Sequence, residues 1–179
     1  IDLSMLKGHK MLNIDSDEEG HFLTSCAGGM TVETSIPVSY ITAEGLGAKL
    51  KVTGLCGGHS GSEINKEHAN ANIVMGRVIK SLMDQMQFGL SNMEGGLKDN
   101  AIPRECTADI VIEQADKELL ESAVKKLDQA FKAEYSVADK DIKVELEFED
   151  IVSKQVLSFT SLTKVIFYLR NVPNGVQNM

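Results

Sequence analysis

Three short stretches of the chain gather residue types that could do chemistry. In GLCGGHSGSEI, residues 54–64, His59 and Ser60 sit among Gly57, Gly58 and Gly61. Glycine permits positive φ and close backbone approach, and free N–H groups collect where such a loop enters a helix. A histidine held there can donate a hydrogen bond to an oxyanion developing on a carbonyl. Ser60 is not an elbow nucleophile, because GxSxG needs a glycine where Ser62 stands. A plain glycine-rich turn with a surface histidine fits the same spacing. In GGLKDNAIPREC, residues 95–106, a loop exposes Asn100 and sets Arg104 at a strand start. Arginine suits a substrate carboxylate through paired hydrogen bonds; a strand-edge arginine paired with a surface acid is the alternative. In LNIDSDEEG, residues 12–20, Asp15 ends a short apolar run. That is where α/β folds place ligands and metals, although a turn or cap aspartate has the same signature. Asp17, Glu18 and Glu19 read as a solvated loop, since adjacent side chains diverge and cannot all ligate one ion. His9, His21 and His68 belong to no HxD, HxxE or HExxH pattern and read as surface or packing residues.

The elements that must hold these stretches show in the periodicity. Ile142, Val144, Leu146 and Phe148 alternate with charged residues, the mark of a half-buried strand. Cys106, Ala108, Ile110 and Ile112 are in phase in a second strand, and Leu50 and Val52 in a third; a weaker one runs near 90–97. Apolar residues at helical spacing predict helices over 65–88 and 116–134, the latter with Asp116 as cap. The order is β-α-β-β-α-β, an α+β, ferredoxin-like plan with an antiparallel sheet and both helices on one face. The flanks predict two more strands, within 21–29 and 31–41, and a helix over 155–169 that stops ahead of Pro173. Neither flank holds enough apolar surface for its own core.

The 179 residues carry a net charge of −8 and a 42% apolar content. That is globular composition at about the size of one domain, or of one plus pieces of another. The acidic balance argues against nucleic acid as a partner. No apolar run approaches the ~18 residues of a membrane span, and the first ten residues lack the plan of a signal peptide. The charge is uneven: −5 over 1–44, −6 over 45–150 and +3 over 151–179. Opposite signs at the two ends would suit segments of one body. Cys26, Cys56 and Cys106 have neither metal-ligand nor disulfide-framework spacing, and read as small buried hydrophobes in a reducing compartment.

LNIDSDEEG, GLCGGHSG and DNAIPRE, in this order and followed by PNGV at 173–176, resemble the bacterial aminoacyl-histidine dipeptidases. These Xaa-His, carnosinase-like enzymes belong to the wider superfamily of di-zinc aminopeptidases, carboxypeptidase G and aminoacylase. The resemblance runs over nearly the whole chain. It implies a cytoplasmic two-domain hydrolase whose catalytic domain holds two zinc ions and whose ferredoxin-like lid is inserted mid-chain. Residues 45–150 then correspond to the lid, 1–44 to the end of the first catalytic half, and 151–179 to the return into the catalytic domain. On this resemblance Asp15 ligates zinc, and His59 polarises the scissile carbonyl. Asn100 and Arg104 grip the polar, carboxylate end of a dipeptide substrate. Such lids often pair, so a homodimer is implied. The chain departs from the pattern in having no HxD, no catalytic Glu-Glu pair and no late histidine. Glu18–Glu19 does not replace the pair, because LNIDS aligns that segment with a later motif. One carboxylate cannot supply the three or so ligands each zinc needs, so the chain alone is expected to be inactive, with no stoichiometric metal. The other class of function is a non-catalytic ferredoxin-like module for small-molecule binding or dimerisation, in which His59 and Arg104 are incidental.

Overall fold

A computed structural model describes residues 4, 7–10, 12, 14, 19–25 and 28–177. The chain divides into two units, Ile1–Glu33 and Thr34–Met179. The described residues of the first unit form no helix or strand, so the strand expected over 21–29 is absent among them.

The second unit is built on one sheet. Its strands are β1 (Tyr40–Thr53), β3 (Phe88–Gly95), β5 (Cys106–Ile112) and β6 (Lys143–Leu157), in the order β3-β5-β1-β6 with every neighbour antiparallel. A separate two-residue pairing joins β2 (Gly58–His59) to β4 (Ala101–Ile102). Helices α1 (Ala71–Met83) and α2 (Lys117–Glu134) follow β1 and β5, and α3 (Phe159–Asn171) follows β6. The β-α-β-β-α-β order and antiparallel sheet expected from periodicity are therefore present.

The strand alternation explains the layering. Ala48, Leu50 and Val52 of β1, Cys106, Ala108, Ile110 and Ile112 of β5, and Val144 of β6 all turn to one side. They meet Val74, Met75, Val78, Ile79 and Leu82 of α1 and Leu120, Ala123, Val124 and Phe131 of α2 in a single core. The opposite face carries cross-strand ion pairs, Lys49–Asp109 at 3.3 Å and Lys51–Glu147 at 2.6 Å.

Local chemistry moves several boundaries. The helix expected over 65–88 is shorter. Residues 64–66 form a separate 3-10 turn, and the Asn70 side chain then accepts the Asn72 N–H at 3.0 Å, starting α1 at Ala71. The helix expected from 155 begins only at Phe159, because Gln155–Leu157 still pair with Tyr40–Thr42 of β1. Ser158 is its cap, accepting from the Ser161 N–H at 3.3 Å. Of the strand expected within 31–41, only Tyr40 and Ile41 are in one. The 44/45 and 150/151 limits read from charge fall inside β1 and β6, which pair as a continuous ribbon from Tyr40↔Leu157 inward. A bulge between Leu46 and Ala48 bends β1. Val156 at the end of β6 packs over Gly89 of β3, at the opposite edge of the sheet. Helix α3 adds Leu162 and Ile166 to the core, and its Leu169 lies against Gly76 of α1.

Candidate functional site

The glycine-rich loop leaves the sheet where β1 ends at Thr53 and re-enters the fold at α1. Gly57 and Gly58 both take positive φ, +68° and +137°. These conformations are open to glycine and strained for other residues. They let the chain reverse and form the β2–β4 pairing, Gly58↔Ile102 and His59↔Ala101. The Ser60 N–H donates to the Asn100 carbonyl at 3.0 Å. Two loops that lie 41 positions apart in sequence, those of His59 and Asn100, are thus joined edge to edge.

His59 is exposed, but its ring is not free to choose a tautomer. Nδ1 accepts the backbone N–H of Gly61 at 3.0 Å and of Ser62 at 3.2 Å. Two donors aimed at one nitrogen require its lone pair, so the neutral ring carries its proton on Nε2. Nε2 has no hydrogen-bond partner among the described residues. The His59 N–H in turn donates to Glu63 Oε2 at 2.9 Å, and Lys66 Nζ donates to Glu63 Oε1 at 2.6 Å. The hydrogen bonds from Lys66 and from the His59 backbone hold the Glu63 carboxyl below its ordinary range. The arrangement presents an imidazole N–H donor on a braced loop, which is what stabilising a carbonyl oxyanion requires.

Asn100 lies in the turn before β4 and is exposed. Arg104 stands beside the same loop. Its Nε donates to the Leu55 carbonyl at 3.2 Å, and its aliphatic stem covers Gly57, where an added Cβ would run into Arg104 Cγ. No described carboxylate pairs with the guanidinium as a salt bridge. The structure therefore brings His59, Asn100 and Arg104 to one region. Asp15, the residue read as a metal ligand, lies outside the described residues.

Sequence reasoning missed two neighbours. His68 Nδ1 hydrogen-bonds the Gly57 carbonyl, so this ring braces the loop from its far end. Asp139 is fully buried, and its carboxylate accepts the N–H of Cys56 at 2.7 Å and of Ala69 at 2.6 Å. An aspartate in the SVADKD turn carries no periodic signal, so only the tertiary contact reveals it. Of the cysteines, Cys106 is buried as expected, Cys56 is exposed, contrary to the reading of it as a buried hydrophobe, and Cys26 lies outside the described residues.

Among the described residues there is no group of three or more His, Cys, Asp or Glu that could hold a metal ion. Among them, too, no helix is long and apolar enough to cross a membrane.

Comparison with known proteins places the chain. Residues 50–139 match the family model of the M20 peptidase dimerisation domain, and this span contains β2, β4, both principal helices and His59, Asn100 and Arg104. The cytosol non-specific dipeptidase of Escherichia coli K12 is 32% identical over 177 residues, which is 96% of this chain and 36% of that protein. The crystal structure of aminoacylhistidine dipeptidase from Vibrio alginolyticus superposes with a TM-score of 0.67 at 28% identity. It covers 83% of this chain and 29% of the other. The chain thus spans about a third of the length of the relatives it matches. A ferredoxin-like sheet of the observed strand order, a braced histidine loop and these matches together make the chain a member of the M20 peptidase dimerisation-domain family, related to the dipeptidases.

Proposed function

We propose that this chain is the lid and dimerisation part of a parent dipeptidase, a cytoplasmic hydrolase cleaving Xaa-His dipeptides of the carnosine type, and that His59 is its contribution to the chemistry. The observation that carries this reading is the pair of backbone N–H groups at His59 Nδ1. Two backbone N–H groups occupy Nδ1, leaving Nε2–H as an outward donor. As water adds to the scissile carbonyl, negative charge grows on the oxygen, and a preplaced N–H stabilises it more than it stabilises the uncharged substrate. Asn100 and Arg104, on the loop paired with that of His59, would hold the polar and carboxylate end of the dipeptide. The similarity to a non-specific dipeptidase and to an aminoacylhistidine dipeptidase supports dipeptides as the substrate class. The two zinc ions would be held by ligands beyond the described residues, Asp15 among them. Residues 45–150 would be the lid, with 1–44 and 151–179 tied to the catalytic domain through the β1–β6 ribbon. Lid-to-lid pairing would give a homodimer.

The test is His59→Ala in the parent enzyme. Loss of an oxyanion donor costs about 10²–10³ in kcat, and zinc content should not change. Asp15→Ala should instead lower zinc occupancy. Unchanged turnover in the His59 variant would refute that role, and a parent without dipeptidase activity would favour the non-catalytic module.

A further inference from the structure

Asp139 does not belong to the loop that carries His59, yet both ends of that loop rest on it. The segment runs from Cys56, just past the end of β1 at Thr53, to Ala69, just ahead of α1. Asp139 Oδ1 accepts the Cys56 N–H at 2.7 Å, and Oδ2 accepts the Ala69 N–H at 2.6 Å. The carboxylate is 0% exposed and no described cation pairs with it, so those bonds are what offset its burial. Its own backbone is anchored as well. The Asp139 N–H donates to the Tyr135 carbonyl at 2.9 Å, and its carbonyl accepts the Ile142 N–H at 3.0 Å. The turn between α2 and β6 is thereby a fixed post against which the loop is closed. Inside that closure, the bonds from Gly61 and Ser62 to His59 and from His59 to Glu63 set the ring.

We propose that Asp139 is the positioning residue of the His59 loop: one carboxylate closes the loop at both ends and so sets where the imidazole stands. The inference rests on the reading of His59 as the oxyanion donor. Asp139→Asn keeps the shape but turns an NH₂ group toward one of the two N–H donors, so one end is released.

Two measurements test it. The first is a double-mutant cycle in the parent dipeptidase, below the melting temperature of every variant. Asp139→Asn should lower kcat about tenfold or more with KM little changed, as a misplaced catalytic group does. In the His59→Ala background it should lower kcat no further, because Asp139 acts through His59. An equal fold-loss in both backgrounds would mark a merely structural role and overturn the proposal, as would an unchanged kcat in Asp139→Asn when His59→Ala is impaired. If His59→Ala itself turns over normally, the reading of His59 as the oxyanion donor falls, and the clamp is judged by the second measurement alone. This is amide hydrogen exchange on the 179-residue chain. Cys56 and Ala69 should exchange as slowly as β1. Asp139→Asn should speed exchange at one of Cys56 and Ala69, and with it at Gly61 and Ser62, while β1 stays protected. Fast exchange of Cys56 and Ala69 in the unsubstituted chain would overturn the clamp outright.

Discussion

Single residues at this site act by conformation as much as by chemistry. Gly57 has φ +68° with the Arg104 stem against it. A side chain there meets both a left-handed backbone, costing about 1–2 kcal/mol, and the arginine. Gly57→Ala should therefore lower stability by about that amount and displace the His59 loop; calorimetry on the chain and kcat of the parent would check the two effects separately. Cys106 shows the opposite case, a group made inert by its surroundings. Burial alone pushes its thiol up to about 12, and the thiolate is the reactive form. Maleimide labelling followed by mass spectrometry should leave Cys106 unmodified in the native chain and modify it after denaturation. Rapid native labelling would mean the β5 face opens.

At the scale of elements, α1 and α2 are joined on their outer side by Arg77 and Glu134. The guanidinium meets both carboxylate oxygens at 2.7 Å and lies 4.7 Å from the centre of the Phe131 ring. The hydrogen bond from Arg77 lowers the Glu134 carboxyl below its ordinary range. A carboxylate with a lowered folded pKa stabilises above its unfolded value, near 4.3, and that contribution fades as pH falls through the lower folded value. Both groups are partly exposed, so water and salt screen the pair. Glu134→Gln should cost about 0.5–1 kcal/mol at neutral pH, and the difference from the parent sequence should be smaller at pH 3. Urea unfolding at the two pH values measures it. The element boundaries that moved did so where side chains capped the backbone. Asn70 and Ser158 each accept an N–H of the helix's first turn and so decide where α1 and α3 begin. Apolar spacing, which continued in phase through 69 and through 156, could not mark those starts, because phase reports which face is buried and not which residue caps.

For the molecule as a whole, the proposed reading of the chain as a lid sets one expectation. The 179-residue chain should hydrolyse no Xaa-His dipeptide and carry no stoichiometric zinc, while its parent should do both. A dipeptidase assay beside elemental analysis decides it, and turnover by the chain alone would end the reading of it as a lid. Sedimentation of the same sample would show whether the dimerisation domain pairs on its own.

The alternation in β1, β5 and β6 and the apolar stripes of α1 and α2 were enough to specify the split β-α-β plan. Burying one face of each element is a local pattern, repeated every two or 3.6 residues, and the sheet order follows from few alternatives. Glycine content likewise marked the loop at 57–61 as unusual. Only the tertiary structure decided what that loop does with its histidine. The proton on Nε2 depends on where the N–H groups of Gly61 and Ser62 point, and the meeting with Asn100 depends on a two-residue pairing across 41 positions. The hold of Asp139 on Cys56 and Ala69 spans 83 and 70 positions. Contacts of that kind leave no period in a sequence, because each is made once, by a single side chain, after the core has brought its partners together.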